Sequence, residues 1–405
     1  MGGKDKLKIL YVHAVGKTES SKYIIRALEH LGHTVIQYPG DPASMSTGFL
    51  DENKVNGILA YMEEQGIDAL LSLFFVMNVA LAAYKGKKPY ISILWDAPYQ
   101  NVYNPLAKLD NMWISTFDRL DRDRFATYGI RNAMYQPLSV SKADVMEWNR
   151  EIQETLQGHY FHDICFVGRL YENNSYDRML GMIPTNMQYY FNSIFEEAAF
   201  RWDGVNRVYG KTGQEILDYI KMTNPEFSIP DTKQDIEEVR YFEALYLIRK
   251  LAHIERMAVL GLLAEAHEVT LYTFSQQEAK KLQNVHVNMP VMFGKAASLV
   301  YAGSKINLNI SLKGIEGGTP QRIMDIMSAG GFVLSSYGVE TAELFEEDKE
   351  IVMFRTPEEL VEKVDYYLAH DREREQIARA GYEKVINCFT YEKKMKELMD
   401  WVARA

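Results

Sequence analysis

The sequence predicts an α/β protein of two facing Rossmann-like domains, and three observations carry that prediction. Its 405 residues exceed what one hydrophobic core holds, since single cores stop growing near ~250–300 residues. Short apolar, β-rich runs alternate with helical stretches, the pattern of parallel sheets covered on both faces. A crossover at Tyr135–Val140 (YQPLSV), where Pro137 stops regular structure, separates one alternating series from a second.

In the first series the expected strands are Ile9–Val12, Thr34–Tyr38, Ala69–Phe75, Tyr90–Trp95 and Met112–Ser115. Between the first two, Ile24, Ile25, Leu28 and Leu31 share one helical face, and Gly32 suits the helix end. The second series begins at Asp163–Val167 and continues through Arg207–Tyr209, Glu268–Phe274, Lys305–Ile310, Phe332–Ser335 and Ile351–Phe354. From Asp235 to Glu265 one long helix is expected, with apolar residues from Val239 to Leu260 at helical spacing. It reads as a packing helix inserted in the second domain; a homo-oligomer interface is the alternative. From Pro357 to Trp401 the tail is nearly all helix, and its last part is expected to cross back to the first domain. These readings place the N-terminal domain at 1–155, a C-terminal domain at 156–388 and the returning helix at 389–405.

Composition narrows the function. Hydrophobic residues make up 47% and charged residues 25%, which is ordinary for a globular chain. A net charge of -10 speaks against general affinity for nucleic acid or anionic membrane. The two cysteines, Cys165 and Cys388, are too few for a disulfide framework. With no signal-peptide stretch and no run of ~20 apolar residues, the expectation is a cytoplasmic protein without a membrane span.

The segment most informative about chemistry is Lys305–Ser336, which reads strand, Gly-rich loop, helix, Gly pair, strand. Gly314, Gly317 and Gly318 precede a helix expected to open at Thr319 and Pro320, with Thr319 as its cap. Free amides and the positive dipole end make such a start a place for a diphosphate. Arg322 and Asp325 are three apart and share a helical face, the arginine suited to phosphate and the acid to ribose hydroxyls. A capped helix with an exposed ion pair explains the same residues equally well. Two further loops at strand ends are candidates for the same ligand: Gly168-Arg169, and Lys211 between Gly210 and Gly213. The latter lacks the Walker pattern, so no nucleoside triphosphatase is read.

In the first domain, His13 follows the first strand and Asp96 follows Tyr90–Trp95. Either suits a general base on an acceptor hydroxyl. Structural hydrogen bonding is the commoner fate of such a histidine, and turn capping ahead of Pro98 accounts for the aspartate. Asp121-Arg-Asp123 has the spacing of a metal-binding pair, but four nearby arginines favour capping and ion pairs. His159, His162 and Asp163 lack further ligands at diagnostic spacing. No metal and no cofactor are expected.

The chain resembles the CgeB-like (spore maturation protein type) glycosyltransferases. The resemblance runs through Trp95-Asp96-Ala97-Pro98, Tyr135-Gln-Pro137-Leu138, Cys165-Phe-Val-Gly168-Arg169-Leu-Tyr171, Ser304–Asn309, Arg322-Ile-Met-Asp325 through Phe332, and Ala378-Arg-Ala-Gly381 to Tyr391. It is densest from Ser304 onward. It implies a GT-B fold and metal-independent transfer. A nucleotide-diphosphate-sugar would sit on the second domain, with Asn309 added to its contacts, and the acceptor on the first. Asp325 stands where that family usually has Glu. Gly317 stands where related retaining enzymes have the first Glu of a Glu-x7-Glu pair, so retention or inversion stays open. A nucleotide-sugar epimerase and a nucleotide-sugar-binding protein without catalysis are the competing readings.

Overall fold

The computed structural model describes residues 6–14, 16–41, 50–224, 227 and 238–404. The chain forms two compact units. One takes residues up to Ser141 together with the last segment, Cys388–Ala405; the other takes Lys142–Pro230 and Glu237–Asn387.

The first unit holds a six-stranded parallel sheet made of β1 (Lys8–Tyr11), β2 (Thr34–Gln37), β3 (Ala69–Leu73), β4 (Tyr90–Ile93), β5 (Met112–Thr116) and β6 (Ala133–Tyr135). Its order is β2-β1-β3-β4-β5-β6. Every residue of β3, β4 and β5 is buried, which is why these strands read as largely apolar runs broken only by Ser and Thr. β6 was not expected from sequence; it ends at Tyr135, where the expected crossover begins. Beyond it, Val140 bridges Thr390, and Gln136 donates to the Lys394 carbonyl at 3.1 Å. The C-terminal helix Tyr391–Ala403, capped by Thr390, thereby joins this unit. It buries Tyr391, Met395, Leu398, Met399 and Val402 with Ile24, Ala27 and Leu28 of the first helix. Each such Ile, Leu, Met or Val side chain is worth about 1.5–3 kcal/mol when fully buried.

The second unit holds another six-stranded parallel sheet: β7 (His162–Val167), β8 (Val269–Tyr272), β9 (Val285–Asn288), β10 (Ser304–Asn309), β11 (Val333–Ser336) and β12 (Val352–Phe354). The order is β12-β11-β10-β7-β8-β9. The chain builds outward from β7 in one direction, then returns to add β10 on its other side. The reversal of strand order therefore falls between β7 and β10, where open α/β sheets bind ligands at the strands' carboxyl ends.

Three strand expectations are corrected. Arg207–Tyr209 is a turn, because the Asn206 Oδ1 accepts from the Val208 and Tyr209 amides at 2.9 Å each and curls the chain. Two strands were not expected: β6, and β9, an edge strand whose VHVN sequence lacks an apolar run. The expected long helix spans 238–263, with a π-helical stretch at Glu243–Ile248; its first three expected residues lie outside the described ones. Cys165 is buried in β7, where burial pushes its thiol up to about 12, while Cys388 is exposed.

Candidate functional site

At the carboxyl ends of β7 and β10, within the second unit, lies a cleft of about 360 Å³. Its lining includes Gly168, Arg169 and Tyr171 after β7, Asn309 and Ser311 at the end of β10, and Gln321 and Arg322 at the start of the helix Gln321–Ser328.

Arg322 is held in place rather than free on the surface. Its Nη1 donates to the Asn309 Oδ1 at 2.9 Å, and its guanidinium lies 5.0 Å from the centre of the buried Phe166 ring. Asn309 is fixed in turn, donating to the Ser311 and Ser335 hydroxyls at 2.8 and 2.9 Å. A Cβ at Gly168 would stand 2.8 Å from the Arg322 Nη2, so glycine there is what lets the guanidinium approach the β7 loop. One Arg322 nitrogen is spent on this hold. The helix start adds amides, because Pro320 is the cap residue and makes no side-chain cap hydrogen bond. Together these groups form a concave, cationic surface suited to a diphosphate. Phe274, Met292 and Phe293 form an apolar wall of the cleft, each more than half exposed.

Residues 242–400 match the family model described as glycosyl transferase-like. A search of curated proteins finds no match. Solved structures are similar along almost the whole length. A glycosyltransferase from Rickettsia africae ESF-5 superposes with a TM-score of 0.56 at 11% identity, covering 99% of each chain. The Anabaena protein HepE, in complex with UDP-glucose, gives 0.54 at 12% identity, over 98% of this chain and 100% of that one. A protein assigned as a UDP-N-acetylglucosamine 2-epimerase from Listeria monocytogenes gives 0.52 at 11% identity, over 97% and 95%. The fold is thus the GT-B type of α/β fold, with a glycosyl transferase-like sequence in its C-terminal part.

Of the glycosyl transferase-like site residues expected from sequence, Gly168, Arg169, Asn309 and Arg322 come together. Gly317 and Gly318 precede the helix as expected, and Gly318 lines a small adjoining cavity with Trp202, Lys313 and Tyr337. Thr319 does not cap the helix: it is buried, and its hydroxyl lies 3.1 Å from that of Thr341. The cap position falls one residue later, at Pro320. Lys211 does not line the cleft; its ammonium pairs with Glu197 at 3.0 Å. Asp325 stands behind the lining, where Gln321 donates to its Oδ1 at 2.8 Å and its Oδ2 is buried without a hydrogen-bond partner. Burial pushes this carboxyl up to about 6, against the lowering effects of Gln321 and Arg322.

Sequence reasoning missed Arg256. It comes from the long helix, is buried, and lines the cleft. A charged residue three before Val259 and four before Leu260, on a buried helical face, was the signal.

In the first unit, strand order reverses between β1 and β3. His13, just after β1, is buried; its Nε2 lies 2.9 Å from the Gln37 Oε1, and its Nδ1 has no hydrogen-bond partner. Asp96 is exposed beyond the end of β4. The Asp121–Asp123 pair is explained by local bonding: Asp118 caps that helix, Asp121 pairs with Arg124 at 2.9 Å, and Asp123 pairs with Arg122. Among the described residues no group of three or more His, Cys, Asp or Glu is placed to hold a metal, and no helix is long and apolar enough to cross a membrane.

Proposed function

We propose that this protein transfers a sugar from a nucleoside-diphosphate-sugar donor to an acceptor hydroxyl, without a metal ion, in the manner of the CgeB-like glycosyltransferases. The observation that carries the reading is the Arg322–Asn309 pair set under Gly168 at the point where strand order reverses. The glycosyl transferase-like match and the GT-B fold support it.

In this reading Arg169, Arg322 and the amides at the start of Gln321–Ser328 hold the diphosphate. As the bond from the anomeric carbon to the diphosphate oxygen breaks, negative charge grows on the leaving group, and these donors stabilise it where a cation would otherwise be needed. The acceptor oxygen forms the new bond to the anomeric carbon and loses its proton to a base, for which His13 and Asp96 are the candidates. Asp325 serves the ribose once Gln321 is displaced.

An epimerase needs acids and a histidine around the sugar. The lining of the cleft contains no Asp, Glu or His among the described residues, which favours transfer. Titration calorimetry with UDP and other nucleoside diphosphates tests the site. A panel of nucleotide-sugars, followed for release of free nucleoside diphosphate after exhaustive chelation, tests the reaction. Release is the expected result. Interconversion of the sugar would establish the epimerase, and no binding of any nucleoside diphosphate at millimolar concentration would overturn the reading.

A further inference from the structure

The long helix 238–263 carries three charged side chains on its buried face, Glu243, Glu255 and Arg256, each no more than 3% exposed. Glu243 serves a single loop, and Glu255 ties Phe200 to Lys313. Glu243 accepts from the Gly210 and Thr212 amides, and Glu255 accepts from the Phe200 amide and pairs with Lys313 at 2.6 Å. Arg256 is different. Its Nη1 donates to the Arg169 carbonyl at 2.6 Å, and its Nη2 donates to the Ile310 carbonyl at 2.7 Å. Those carbonyls lie in the loops leaving β7 and β10, the two strands that flank the reversal of order. The guanidinium also lies against the Phe166 and Tyr171 rings, at 5.3 and 4.8 Å from their centres.

Burying a cation costs several kcal/mol, and a well-packed apolar residue would fill this space more cheaply. Burial, and then the nearby Arg322, lower the affinity of Arg256 for its proton, to a value of about 10. What a guanidinium supplies that no other side chain does is a rigid fork of charged donors that can bind two carbonyls at once. We infer that Arg256 is a positioning residue that staples the β7 and β10 loops at the spacing needed for Arg169 and Arg322 to close on one diphosphate. The inference rests on the donor-site reading above, and its test separates the two.

Arg256→Lys keeps the charge but offers no planar fork. Arg256→Gln keeps a hydrogen bond without charge. Each is checked for folding by circular dichroism, then titrated with UDP and with uridine. Arg256→Lys is expected to bind UDP about tenfold more weakly, the loss of one charge-assisted hydrogen bond, with uridine affinity within twofold of wild type. In the double variant with Arg322→Ala, the two losses should fall short of additive, because Arg256 acts through the placement of Arg322. UDP binding by Arg256→Lys within twofold of wild type overturns the staple and leaves Arg256 as a source of charge alone. Wild-type protein that binds neither UDP nor any other nucleoside diphosphate sinks the donor-site reading instead. Should both variants fail to fold, hydrogen exchange on the wild type decides. UDP should protect the amides of 168–171 and 310–313 together and to the same degree; independent responses of the two loops reject the staple.

Discussion

In the first sheet the chain leaves β1 through the buried His13; in the second it leaves β7 through Gly168 and Arg169. Both exits lie beside a reversal of strand order. At the first, the histidine is tied to the neutral Gln37, and the neighbouring exit from β3 is Phe74, whose ring lies 5.0 Å from that of Tyr99. At the second, two guanidiniums, Arg256 and Arg322, flank Phe166, and a third, from Arg169, lines the same cleft. A reversal of strand order thus presents an aromatic edge in one unit and a guanidinium-rich one in the other. The sheet supplies the place for a ligand, and the loops decide its charge.

That contrast can be broken by mutation. The largest effect is expected at Arg322: Arg322→Ala should cost about tenfold to a hundredfold in UDP affinity by calorimetry, a charge-assisted contact being worth about 1.5–3 kcal/mol. His13→Ala and Asp96→Asn should leave UDP affinity unchanged, while one of them lowers turnover about a hundredfold or more, as loss of a general base does. A nucleotide defect in either would show that the first unit also reads the donor. Next comes Gly168→Ala. Its new Cβ would push on the Arg322 Nη2 without altering any charge, and a loss of about 1 kcal/mol, roughly fivefold in UDP affinity, is expected.

Asp325 sharpens the comparison through pH. Its folded-state value, about 6, lies above the ordinary carboxylate range, so the folded protein holds this proton more tightly than the unfolded chain. Stability from this group therefore falls as pH rises from about 4 through 6, and Asp325→Asn should raise the thermal midpoint at pH 7 more than at pH 4. If the ionised carboxylate binds ribose, UDP affinity in the wild type should rise between pH 5 and 7. The rise should be smaller in Asp325→Asn. The smallest effect belongs to Lys211→Ala: with its ammonium on Glu197, the change should leave UDP affinity within twofold.

Much of this architecture was legible because parallel strands buried on both faces leave apolar runs in the sequence. β3 and β4 are of that kind, whereas β9 is an edge strand and left none. The Gly-rich approach to Gln321–Ser328 was legible for a similar reason, since glycine and proline mark backbone conformation directly. Long-range bonding was not. Arg256 reaches carbonyls 87 and 54 residues away, and Lys211 is drawn off by Glu197. Each outcome depends on which partner the finished fold brings near, and a single sequence carries no period or spacing for that.

The contrast between the two thiols has a practical consequence. Cys165 is sealed inside β7 and its proton is hard to remove, so a maleimide dye should react at Cys388 alone under native conditions. Cys388 is also the residue at which the chain leaves the second unit to rejoin the first. A fluorophore there would sit on the returning strap itself, and its anisotropy during a UDP titration would report whether filling the cleft changes the mobility of that strap, with no mutation needed to install the probe.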